Sequence, residues 1–116
     1  MYKARKERKR LLKVIQHEDA IAYAEESIKN TTNRQEILLH SYVKHMIEVD
    51  VGAESEGMGR IKIVRKEAKT FSFNNKIKFK EMRKIWKELI KEHKGEGIGL
   101  ASLYFETAGR YIWLMR

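Results

Sequence analysis

The stretch FKEMRKIWKELIKEHKG, residues 79–95, sorts its side chains by chemistry. At about 100° per residue, Phe79, Met82, Trp86, Leu89, Ile90 and His93 fall on one arc, with Ile85 at its edge. Lys80, Lys84, Lys87, Lys91 and Lys94 fall on the opposite side, within about 80° of each other. Glu81, Glu88 and Glu92 form a separate stripe beside them. The spacing predicts a helix over about 79–94 that buries one face and exposes a cationic one, with Gly95 as a left-handed C-cap.

A chain of 116 residues has room for one domain with one modest core. Hydrophobic residues make up 42%, which takes the chain out of the disordered class. No apolar run approaches the length of a membrane span, and the basic start lacks the apolar core of a signal peptide. Cysteine is absent, which excludes disulfides and thiolate metal sites, so a cytoplasmic protein is expected.

Local patterns along the rest of the chain suggest an α+β fold. Residues 4–29 lack Gly and Pro and read as a long helix, with Leu11, Val14, Ile21, Ala24 and Ile28 near one stripe. Asn33 followed by Glu36 fits a capping box for a second helix from Arg34 to about His45, with Leu38, Leu39, Tyr42, Val43 and Met46 inward. Then the period changes. In MIEVDV, Ile47, Val49 and Val51 alternate with Glu48 and Asp50, and in RIKIVRK, Ile61 and Ile63 alternate with Arg60 and Lys62. These two runs flank the Gly-rich 52–59 and predict an antiparallel hairpin, with KTFSF (69–73) as a third strand. At NNKIKF the chain either turns into a fourth strand or caps the next helix at Asn75. The segment GLASLYFETAGRYIWLMR reads as a terminal hairpin turning at Ala108-Gly109, apolar on both faces. The expected architecture is therefore two N-terminal helices and an antiparallel sheet of four to five strands in two hairpins, with the basic helix between the hairpins. Residues 1–10 form a basic arm or helix extension on a single domain, 11–116.

Charge carries the functional expectation. The net charge is +9, and it is distributed in blocks: +6 over residues 1–13, −6 over 14–58, +8 over 59–96 and +1 over 97–116. The first block holds Lys3, Arg5, Lys6, Arg8, Lys9 and Arg10, which would surround a helix on all sides and suit an arm that orders on a polyanion. If half of these six reached phosphates, the log–log salt slope of binding would be roughly −2.7. With Lys80, Lys84, Lys87, Lys91 and Lys94, they are the candidate nucleic-acid contacts. Solvated lysines and an acidic protein surface are the competing readings of the same residues.

Other motifs carry less. HKGEGIGLASL (93–103) resembles, over about ten residues, the pyrophosphate loop of GNAT acetyltransferases and the GxGIGL box of GHKL-type ATPases. The first resemblance implies coenzyme A on the N–H groups of Gly95, Gly97 and Gly99. A helix precedes the loop where that family has a strand, and the Asn-bearing helix and DxGxG box of the second family are missing, so turn glycines are the simpler reading. His17, His40, His45 and His93 have no metal-ligand spacing and read as surface or half-buried residues. Glu54 and Glu56 offer at most a weak metal loop, and Trp86, Trp113, Tyr104, Phe105 and Tyr111 read as core rather than as base-stacking groups.

The expectation is a small, non-enzymatic nucleic-acid-binding protein, DNA ahead of RNA, of the accessory or regulatory kind. It needs no cofactor, metal, small-molecule substrate or membrane. The alternative is a protein-interaction module, or a homo-oligomer built through the first helix, in which basic and acidic blocks pair between chains.

Overall fold

The computed structural model describes residues 15–93 and 99–114. These form five α-helices and one 3₁₀ segment: α1 (His17–Lys29), α2 (Arg34–Gly52), the 3₁₀ segment Glu54–Gly59, α3 (Arg60–Asn75), α4 (Phe79–Glu92) and α5 (Leu100–Ile112). Among the described residues there is no strand, so the fold is all-helical and the expected α+β sheet is overturned.

Helix α2 organises the rest, and α1, α3, α4 and α5 all pack on it. Its first turn opens as its sequence suggests: Asn33 Oδ1 accepts from the backbone N–H of Gln35 (2.9 Å) and Glu36 (3.3 Å). The box is not reciprocal. Glu36 accepts instead from the Thr31 hydroxyl at 2.7 Å, and Thr31 Oγ1 accepts the Asn33 N–H. The helix does not stop at His45. Leu39, Val43, Met46 and Ile47 are all buried at helical spacing, and the register carries through MIEVDV to Gly52. Six alternating residues fit both periods, and burial along 39–47 decides for the helix. The consequence is visible at Val51, which a strand would have buried with Ile47 and which is 37% exposed here.

The same competition ends the same way in α3. Ile61 and Ile63, paired on one face of the expected strand, point to different sides of a helix and are 52% and 39% exposed. The buried row is Val64 and Ala68, with Phe71 packed against it. The expected third strand, KTFSF, is the last half of this helix. Helix α3 ends in a left-handed residue, Lys76 (φ 53°, ψ 44°), with Lys76 N–H donating to Phe73 C=O and Ile77 N–H to Ser72 C=O. That is a Schellman closure with lysine in the glycine position. Asn75 does not cap α4; its side chain donates back to the Phe71 carbonyl.

At the N-terminal side, Gln16 is extended (φ −67°, ψ 142°), so α1 begins at His17 and no single helix runs from residue 4 to 29. The arm of residues 1–10 lies outside the described residues. Helix α4 matches its sequence: Met82 and Leu89 are buried, and Phe79, Ile85, Trp86 and Ile90 pack against the core. The C-cap is His93, and the expected cap at Gly95 lies outside the described residues.

The terminal hairpin is instead helix α5. Tyr104, Phe105, Ala108, Gly109, Tyr111 and Ile112 are buried, a repeat of i, i+1, i+4, i+5 that only a helix places on one side. Gly109 is a contact residue, not a turn. A Cβ built there would lie 2.8 Å from Trp86 Cζ2, so the indole comes right up against the helix backbone. Trp86 Nε1 donates to the Phe105 carbonyl, one turn earlier, at 2.9 Å. Placing alanine at Gly109 should therefore destabilise the fold by about 1–3 kcal/mol through overpacking. A freely exposed helix would gain about 1 kcal/mol from the same change, so the sign of the shift in the urea midpoint checks the contact.

Candidate nucleic-acid interface

Seven of the eleven candidate contacts lie outside the described residues: Lys3, Arg5, Lys6, Arg8, Lys9, Arg10 and Lys94. The other four, Lys80, Lys84, Lys87 and Lys91, stand on the solvent side of α4 and are exposed. None of them is within ion-pair distance of a carboxylate among the described residues. Lys84 and Glu88 have i,i+4 spacing in the less favourable order and do not pair. Lys87 has another neighbour: its ammonium lies 5.5 Å from the Trp113 ring centroid, and the Arg83 guanidinium lies 5.1 Å away. Trp113 meets Trp86 edge-on at 6.4 Å and is 36% exposed. It is a rim residue and not the core residue its apolar neighbours suggested.

A second cationic face was hidden by reading 60–66 as a strand. On a helix, Lys62, Lys66 and Lys69 share about 60° of α3, opposite the buried Val64 and Ala68, with Arg65 about 40° further round. All four are exposed and free of ion pairs among the described residues. The sequence signal was present, since 62, 66 and 69 are spaced i, i+4, i+7. It was masked because the apolar Ile61 and Ile63 suggested alternation.

Between the end of α3 and the start of α2 and α4 lies a cleft of about 260 Å³. Leu38, Ile77, Met82 and Ile85 line it together with the cations Arg34, Lys76 and Lys78.

The remaining polar groups are tied into the fold. Arg60 Nε donates to Asp50 Oδ1, and the Tyr111 hydroxyl donates to Asp50 Oδ2 at 2.6 Å. Burial pushes the Asp50 carboxyl up, but these two donors outweigh it and hold it below its ordinary value. Burial and the Asp50 carboxylate both raise the Tyr111 phenol. The Tyr42 hydroxyl donates to the Tyr111 carbonyl at 2.8 Å, and burial raises its phenol too. His45 Nε2 sits 2.8 Å from Glu67 Oε1 and stacks on Phe71.

His40 departs furthest from expectation. It is 3% exposed, with Nδ1 2.7 Å from the Tyr104 hydroxyl. It lines a hollow of about 310 Å³ together with Glu36, Glu92 and His93. No group of three or more His, Cys, Asp or Glu among the described residues has metal-binding geometry, and Glu54 and Glu56 sit in the exposed 3₁₀ segment. No helix among the described residues is long and apolar enough to cross a membrane.

The comparisons with known proteins leave the geometry to stand alone. No protein-family model, curated protein or solved structure matches the chain.

Burial lowers the His40 pKa from 6.5 to about 4, with Glu36 opposing the drop and His93 adding to it. The folded state thus stays neutral at His40 while the unfolded chain takes up a proton below pH 6.5. Stability from this residue is complete above that value and is lost as pH falls toward 4, by on the order of 3 kcal/mol at 1.36 kcal/mol per unit. Urea unfolding at pH 7 and pH 4.5 should show the wild type losing more than His40→Gln. Equal losses would mean that His40 is not the titrating group.

Proposed function

We propose that this protein binds nucleic acid, DNA ahead of RNA, mainly through phosphates, as a non-enzymatic accessory or regulatory factor. The supporting observation is the row Lys80, Lys84, Lys87 and Lys91, exposed together on α4 with no carboxylate neutralising them. Like charges about one turn apart repel, by a few tenths of a kcal/mol per pair, and a polyanion laid along the row relieves that repulsion. The exposed row on α3 and the net charge of +9 add to the same field. The basic run of residues 3–10 supplies further phosphate contacts in this reading. A cytoplasmic setting goes with it.

A homo-oligomer is the second reading, and one feature favours it. Glu18, Asp19, Glu25 and Glu26 share about 120° of α1 and are exposed, an acidic face that a lysine row of another copy would complement. Among the described residues, only Glu25 of these four has an ion-pair partner, Lys44 at 3.2 Å.

A labelled duplex and a labelled single strand, titrated at about 50 and 200 mM salt, test the first reading. Binding should weaken steeply with salt. The quadruple change K80Q/K84Q/K87Q/K91Q should flatten the log–log slope by up to about 3.6, at about 0.9 per phosphate contact, while leaving the thermal midpoint nearly unchanged. Deletion of residues 1–10 should also weaken binding. Absence of binding below tens of micromolar at low salt would sink the reading, and concentration-dependent sedimentation abolished by the same four changes would favour the second.

A further inference from the structure

Phe73 is 85% exposed, although it lies on a packed helix with ordered neighbours on both sides. A lone exposed apolar residue needs no explanation in itself. The position of this one does. On α3 it falls about midway between the directions of Lys62 and Lys66, and Lys69 is one turn before it. The line Lys62–Lys66–Lys69–Phe73 runs about 16 Å along the helix, at 1.5 Å per residue. Three cations without carboxylate partners lead to one unstacked aromatic ring. Phe73 takes no part in the ring contacts that engage Phe71, Phe79 and Phe105. Just beyond Phe73 in the chain, Lys76 and Lys78 line the cleft described above together with Arg34 and one carboxylate, Glu81, a net positive lining.

We infer that this face of α3 is a site for single-stranded nucleic acid, with phosphates along Lys62, Lys66 and Lys69 and an unpaired base stacked on Phe73. The inference rests on the phosphate-binding reading and narrows its ligand. Lysines alone accept any polyanion, whether duplex, single strand or acidic protein. A phenyl ring adds a demand, because it stacks only on a base whose face is open, and a duplex hides its base faces in the helix. Phe73 has no hydrogen-bonding group and reads no base edge, so the site accepts any sequence, with a preference set only by how well each base stacks. Arg65, at the border of the row, supplies a planar guanidinium beside the track.

The test uses the full chain, a labelled oligothymidylate, and the same strand annealed to its complement, compared at matched salt over about 50 to 200 mM. Phe73→Ala should weaken single-strand binding roughly 5- to 100-fold, the range seen when a stacking aromatic is truncated. Duplex binding should change less than about twofold, since phosphate contacts remain. Phe73→Trp should restore single-strand affinity. K62Q/K66Q/K69Q should weaken both ligands and reduce the single-strand salt slope by about 2, at about 0.7 per contact. All these residues are exposed, so thermal midpoints should stay close to wild type and confirm folding.

If wild type binds nucleic acid and F73A binds the single strand equally well, this inference fails and the phosphate reading survives. Equal loss for duplex and single strand would also overturn it, because Phe73 would then act as a wedge between stacked pairs. A wild-type dimer that F73A dissociates would assign the ring to a protein interface instead. If wild type binds neither ligand, both readings fall together.

Discussion

Helix α2 is covered around nearly half of its circumference. Leu39, Tyr42, Val43, Met46 and Ile47 spread over about 140° of the helix, and His40 extends the buried arc further. A helix buried so widely cannot keep all its polar groups in water. Three of them, on His40, Tyr42 and Asp50, are met by partners from α5: the Tyr104 hydroxyl, the Tyr111 carbonyl and the Tyr111 hydroxyl. His40 and Tyr42 are buried, and each would cost about 1–3 kcal/mol if left unmet, while Asp50 is half-buried. The placement of α5 is therefore fixed by polar satisfaction as well as by burial of Tyr104, Phe105 and Ile112.

That arrangement explains which parts of the fold could be read from the chain. Helix α4 was legible because its two faces differ sharply, and the Asn33 cap was legible because its chemistry is local. The helices mistaken for strands failed for a shared reason. Ile47, Val49 and Val51, and likewise Ile61 and Ile63, alternate over only a few residues, and a longer helical repeat of buried side chains overrode them. In α5 the apolar residues on both faces suggested a covered strand, and Ala108-Gly109 suggested its turn. Gly109 is there because the Trp86 indole lies against it. A glycine that makes room for a distant ring looks, in sequence, like a glycine that turns the chain.

The same correction reshaped the charged surface. A strand over 60–66 would place Arg65 on the face opposite Arg60, Lys62 and Lys66, whereas the helix gathers Lys62, Arg65, Lys66 and Lys69 on its outer side. The lysine face of α4 was visible beforehand because that helix was recognised. The burial of His40 was not, since nothing in its immediate sequence announces that a tyrosine 64 positions later will meet it.

Those long-range polar ties also bear on how the chain reaches its native state. Helices are local and form early, so most of the secondary structure can appear before the tertiary contacts. The Tyr42–Tyr111 and Asp50–Tyr111 bonds close loops of 69 and 61 residues. During synthesis from the N-terminus, α1, α2, α3 and α4 all emerge while Tyr42 and Asp50 still lack those partners. Helix α5 is thus the element that completes the polar interior of α2, and nascent chains short of it would expose the apolar side of α2 to whatever surrounds them.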